Sequence, residues 1–210
     1  MEEDRILLKL SENLARESGK DQEVLLYSLR LIKSSIMGYL LLIIVSGIFG
    51  VWEYALTAGV TASIFRVFSG GAHSTAPSRC SIIGVIIFTL FGLTAGFLPP
   101  YFLSDNILYL ILLTAAISVV IFYQHAPADT PSKPINSQAQ KAYLRAITFG
   151  LTAAWTAAAL LLRKMVPSSL IFASATGLLW QAFTTIPVGY STVGSMDRLL
   201  KILMERRDKG

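Results

Sequence analysis

The residues best suited to chemistry gather in one stretch, RVFSGGAHSTAPSRC at 66–80, where Arg66, Gly70, Gly71, His73, Arg79 and the sole cysteine, Cys80, fall together. A thiolate is the nucleophile in cysteine chemistry, and a nearby imidazole is what generates it near neutral pH. His73 and Cys80 are seven residues apart, which in a straight helix puts them on one face but about 10 Å apart. A nucleophile and its base need hydrogen-bond reach. Pro77 lacks an N–H and pushes Ala76 out of helical geometry, while Gly70-Gly71 permits a tight turn. The stretch is therefore expected to bend and to bring His73 back towards Cys80, with Arg79 favouring the thiolate if it stays near the sulfur. One His and one Cys cannot form a zinc site, and His125 is some fifty residues away, so neither metal nor cofactor is expected.

The elements that must position this stretch are membrane helices. Of 210 residues, 53% are hydrophobic and only 15% charged, well below the quarter typical of soluble domains. Disorder is excluded by the apolar content, and a disulfide scaffold by the single Cys. The strict alternation of a membrane barrel is absent. The expected fold class is all-α, a polytopic integral membrane protein.

Five stretches free of charged residues and His are long enough to span: 36–52, 82–103, 107–123, 146–162 and 170–190. A sixth, 54–65, has 12 residues between Glu53 and Arg66, a length suited to a short, tilted or re-entrant helix. If all six cross, sixteen of the eighteen Lys and Arg residues fall on one side, and only Arg163 and Lys164 on the other. The 104–106 connection carries none. The positive-inside bias then predicts both termini and the His73/Cys80 loop on the cytoplasmic face of the membrane. The net charge of +5 sits at membrane edges, where it anchors segments and meets anionic lipid, so no nucleic-acid partner is expected.

The first 33 residues hold seven acidic residues and do not read as a signal peptide. Ile6, Leu7, Leu10 and Leu14 predict an amphipathic helix, Gly19 a break, and Asp21 the cap of a second helix carrying Leu25, Leu29 and Ile32. Two readings fit: a helix lying on the inner leaflet, or a groove for a substrate helix. The tail 196–209 is similar, with Leu199, Leu200, Leu203 and Met204 on one side. Small residues at Ala153, Ala154, Ala157 and Ala158 allow close helix packing, within one protomer or in a homodimer.

The pattern Arg-x-x-x-Gly-Gly-x-His-x6-Cys, at Arg66, Gly70, Gly71, His73 and Cys80, resembles the signature of the AgrB (accessory gene regulator protein B) family. The segment 125–145 is similar to that family's second cytoplasmic loop, with Ala126-Pro127-Ala128-Asp129 and Lys133-Pro134. The resemblance implies one domain over 1–210: cytoplasmic amphipathic helices at 1–33, a membrane bundle at 34–190, and a cytoplasmic tail helix at 191–210. It implies a cysteine endopeptidase that removes the acidic tail of an AgrD-like propeptide and cyclises the signal segment through an acyl-enzyme thioester. The product would be a thiolactone or lactone autoinducing peptide precursor for quorum sensing. Cys80 would be nucleophile and His73 general base. Gly71 would let backbone approach the substrate or form an oxyanion pocket. Arg66 would hold the loop or bind substrate carboxylates, Asp129 would orient His73 or cap a turn before Pro131, and Lys133 would attract an acidic tail or act as a topogenic charge. Ala72 departs from the bulky aromatic residue common in relatives, and 125–145 is poorer in lysine; both bear on the identity of the propeptide. The rival reading is a non-catalytic transporter of a small peptide, with Gln181, Thr184 and Thr185 lining a path.

Overall fold

The computed structural model describes residues 2–98, 100–128 and 137–207, and the polypeptide there is almost wholly helical. Eight helices follow in order among the described residues: α1 (Glu2–Ser18), α2 (Gln22–Ile48), α3 (Trp52–Ser69), α4 (Pro77–Phe97), α5 (Pro100–His125), α6 (Gln138–Leu162), α7 (Ser168–Phe183) and α8 (Pro187–Arg207). No strand forms among them, only an isolated bridge between Gly70 and Ala128. The all-α polytopic class is thereby established. Four helices, α2, α4, α5 and α6, are long and apolar enough to cross a membrane, and α7 with α8 makes a fifth candidate bent by 96°.

The break at the N-terminal arm forms where the sequence placed it. Gly19 has φ +65°, and the Asp21 carboxylate caps α2 by accepting from the Glu23 N–H at 2.8 Å. The second amphipathic stretch and the first apolar segment then form one continuous helix of 27 residues, about 40 Å long. No breaker separates them.

Three boundaries differ from the sequence reading. The span expected at 82–103 ends at Phe97, because Leu98 precedes Pro99 and is extended at ψ 134°. The 104–106 connection consequently lies inside α5, where Asn106 donates to the Phe102 carbonyl. The segment expected at 170–190 stops at Phe183, and Pro187 opens a new helix running off at 96°. Third, 54–65 belongs to an 18-residue helix, α3, about 27 Å long. Its start, at Val51, packs against Gly92 and Gly96 near the end of α4; its finish reaches the Gly70 loop before α4 begins. α3 thus runs the length of the bundle beside α4, as a short but complete element.

α3 and α7 form the centre. They pack most extensively on each other, with α5 against α7 and α4 against α3. Gly177 makes the approach possible, since a Cβ there would lie 2.2 Å from the Ala58 carbonyl oxygen. Small residues are buried on both helices, Ala58 and Ala62 on α3 and Ala173 and Ala175 on α7, while Ala55 is buried against Gly92 of α4.

Four contacts bring the basic segments to one end of the bundle. Ser34 and Ser81 share a hydrogen bond at 3.0 Å, Gly70 bridges Ala128, the Ala72 N–H donates to the Thr184 carbonyl at 2.8 Å, and Arg79 pairs with Asp197 at 2.6 Å. The charge ledger required this common side.

Candidate functional site

The site is built where α3, α4, α7 and α8 meet. α3 ends at Ser69, and Gly70 (φ +67°) and Gly71 (φ +130°) turn the chain out of the helix. Residues with a side chain rarely adopt either conformation. Space forbids one as well: a Cβ on Gly70 would sit 2.1 Å from the Ala128 carbonyl oxygen, and one on Gly71 2.7 Å from Thr184 Oγ1.

The turn is then pinned on three sides. Ser69, buried, accepts the Ala128 N–H at 2.8 Å through its carbonyl. Gln181 Nε2, in the last turn of α7, donates to Ser69 Oγ at 2.9 Å and to the Gly70 carbonyl at 2.6 Å. The Thr184 carbonyl, left without an intrahelical partner at the end of α7, takes the Ala72 N–H. Gln181 and Thr184 are fully buried and engaged in this way, with Gln181 Oε1 left unpartnered. Beneath lies an apolar floor, Phe65 stacked on Phe122 at 6.1 Å with Leu178 and Ala182.

Beyond Ala72 the chain runs non-helically to Ala76, and α4 starts at Pro77 in its first position. The predicted bend is there. Cys80 therefore stands in the first turn of a 21-residue helix, half-buried, its N–H bonded to the Ala76 carbonyl at 3.1 Å. Free N–H groups and the helix dipole give that end a positive potential. The sequence signal for this placement was Pro77 itself, favoured at the first helical position as well as breaking the helix before it.

Arg66 is the cation facing the pair. In the last turn of α3, it donates through Nη2 to the Ala72 carbonyl and lies within electrostatic range of Cys80, His73 and Tyr190. His73 is exposed along the open edge of the loop. Desolvation by the surrounding protein, and then the Arg66 charge, lower its pKa to about 4, so the imidazole is neutral near pH 7. His73 and Cys80 share no hydrogen bond in this structure. Arg79, which would favour the thiolate only by staying near the sulfur, directs its guanidinium to Asp197. Asp129 and Lys133 lie outside the described residues.

Asp197 is the residue that the sequence reading missed. Only 5% exposed on α8, it accepts from Ser74 Oγ, from Thr75 N at 3.3 Å and Thr75 Oγ1 at 2.7 Å, and from Arg79 Nε at 2.6 Å. Burial raises its pKa, but the hydrogen bonds from Arg79, Ser74 and Thr75 outweigh that and hold the carboxyl well below the usual range. The available signal was periodic: Gly189, Val193 and Asp197 recur at every fourth position and form the buried face of α8. Leu199, Leu203 and Met204, expected on the apolar side of the tail, point outward.

Comparison with known proteins gives the arrangement a context. The family described as Accessory gene regulator B matches residues 3–185, which include the whole loop. AgrB-like protein 2 of Clostridium perfringens strain 13 / Type A is 25% identical, over 93% of this chain and 96% of its own length. An AgrB-like protein of Clostridium perfringens strain SM101 / Type A is 24% identical over the same shares. No solved structure matches.

Proposed function

Because the chain belongs to the accessory gene regulator B family, we propose that it is a membrane-embedded cysteine endopeptidase that trims and cyclises an AgrD-like propeptide for quorum sensing. The observation that carries this reading is the Gly70–Cys80 loop. Among the described residues this stretch carries the sole Cys, a neutral imidazole and the Arg66 guanidinium that lies within electrostatic range of both, and four elements hold it in place.

In the proposed reaction Cys80 Sγ attacks the carbonyl joining signal segment to tail, and neutral His73 takes the thiol proton. Arg66 and the N-terminal end of α4 supply positive potential where negative charge develops. The tail leaves as an amine that receives its proton from His73, and the signal segment remains as a thioester on Cys80. A thiol or hydroxyl of that segment then attacks the thioester, closing a thiolactone or lactone and returning the proton to Cys80. The thioester conserves acyl-transfer potential, so ring closure competes well if water is excluded. A membrane interface supplies that exclusion and concentrates a substrate bearing an amphipathic leader.

The loop and both termini are assigned to the cytoplasmic face, from the positive-inside rule applied to one end of the bundle. Outward-facing Ala153, Ala154, Ala157 and Ala158 on α6 offer a close-packing face for a second copy in a homodimer. Buried Gln181 and Thr184 hold the loop, so the path that a transporter would need gains no support.

The test is tail release from candidate propeptides by the full-length protein in lipid, read by intact mass for wild type, Cys80→Ala and His73→Ala. Release by wild type alone, with a dehydrated-ring product, is expected. Equal release by wild type and Cys80→Ala contradicts the reading.

A further inference from the structure

We propose that Asp197 is the positioning residue that sets His73 against Cys80, by tying the residues that follow His73 and the residue that precedes Cys80 to one carboxylate. The proposal rests on the cysteine-peptidase reading above and adds to it a residue beyond the Gly-Gly-x-His-x6-Cys motif.

Both sides of the bracket are short. On one side Ser74 Oγ and both Thr75 donors, immediately after His73, reach the Asp197 carboxylate. On the other Arg79, immediately before Cys80, reaches it through Nε at 2.6 Å. Arg79 Nη2 also donates to Thr75 Oγ1, closing the bracket on itself. The carboxylate's two oxygens thus fix the residue after the base and the residue before the nucleophile. Nothing else described ties these two positions to a common point.

The location of the carboxylate gives it leverage. It comes from α8, over a hundred residues from the loop, on a helix that turns by 96° after α7. The same turn of chain supplies Thr184 and Gln181 to the Gly-Gly side of the loop. The α7–α8 corner therefore holds the loop at its start through Gln181 and Thr184, and at its end through Asp197. Arg79 is also neutralised, which leaves Arg66 as the cation acting on the dyad. A buried charge pair of this kind is weak evidence for stability and is best read as specifying geometry.

The chain has one Cys, so alkylation of Cys80 by iodoacetamide reports the site without any substrate. The experiment compares its rate in wild type and His73→Ala, then in Asp197→Asn with and without His73→Ala, using the full-length protein in lipid. In the wild-type background, removal of His73 is expected to slow alkylation severalfold. In the Asp197→Asn background the same removal is expected to change the rate by less than about twofold, because the loop no longer holds the imidazole on the side of the sulfur. Asp197→Glu is expected to restore part of the coupling, which a merely structural role does not require. Tail release by Asp197→Asn should fall by on the order of tenfold to a hundredfold, in kcat rather than KM.

Undiminished coupling in Asp197→Asn overturns the proposal. Should that variant not fold, the triple variant Ser74→Ala/Thr75→Ala/Arg79→Gln removes the side-chain donors of the bracket from the loop side and leaves Asp197 in place; coupling that survives there overturns it equally. Failure of the peptidase reading is separately visible, as coupling that depends on Asp197 in a protein that releases no tail.

Discussion

α3 and α2 lie side by side and invert the usual relation between hydropathy and burial. α2 is among the most apolar helices, yet Ile36, Met37, Leu40, Ile44 and Ile48 face outward. α3 carries Glu53, four Ser and Thr residues and Arg66, and buries Ala55, Ala58, Gly59, Ala62 and Phe65 against its neighbours. In a bilayer the apolar surface has a good solvent already, so hydrophobicity marks the lipid face. Small residues and polar ties mark the packed centre. The difference explains why the helix that leads into the Gly70–Cys80 loop has the weakest spanning signal of the six apolar stretches.

Substitutions that sharpen this contrast rank by where they fall. Cys80→Ala and His73→Ala should each lower tail release by on the order of a thousandfold or more, with thermal stability nearly unchanged; a peptide-release time course checks this. Gly70→Ala comes next. It forces a Cβ onto the Ala128 carbonyl at φ +67°, so a stability loss of about 1–3 kcal/mol with loss of release is expected, while Gly150→Ala, with open space around it, should stay within about 0.5 kcal/mol. Thermal unfolding of the two variants in the same lipid makes the comparison.

Gln181→Leu should cost about 1–3 kcal/mol, because the Gly70 carbonyl loses its donor inside the protein. Faster hydrogen exchange at Ala72 and His73 than at α3 residues would show the loop loosening first. Arg66→Gln acts on charge. Arg66 disfavours the protonated imidazole, so removing it raises the His73 pKa from about 4, and the acid limb of kcat/KM moves to higher pH. Protonated His73 cannot act as base, so activity falls as pH drops through that limb. The smallest effect belongs to α2: Ile44→Ala, facing lipid, should change stability by less than about 0.5 kcal/mol.

Much of this architecture was legible in the chain. Gly19 and Asp21 announced a break and a cap, and the Lys and Arg distribution required the four basic segments to share an end. The Gly-Gly turn and Pro77 foretold the bend between His73 and Cys80. Hydropathy was blind to backbone direction, so a run through Ile186-Pro187 read as one span although the chain turns there by 96°. The tethers were hidden for a different reason. Gln181, Thr184 and Asp197 lie over a hundred residues from the loop in sequence, and their polar atoms become meaningful only when α7 and α8 fold against it. Their types alone suited a transport path or a solvated tail equally well.

The central claim is that Cys80 carries the acyl group. A propeptide whose ring-closing Cys or Ser is replaced by Ala should stall at that stage. Its incubation with the full-length protein in lipid, quenched in acid and read by intact mass, should show a protein adduct equal to leader plus signal segment, released by hydroxylamine and absent in Cys80→Ala. Tail release with no adduct on Cys80, or an adduct that persists in Cys80→Ala, would contradict the account.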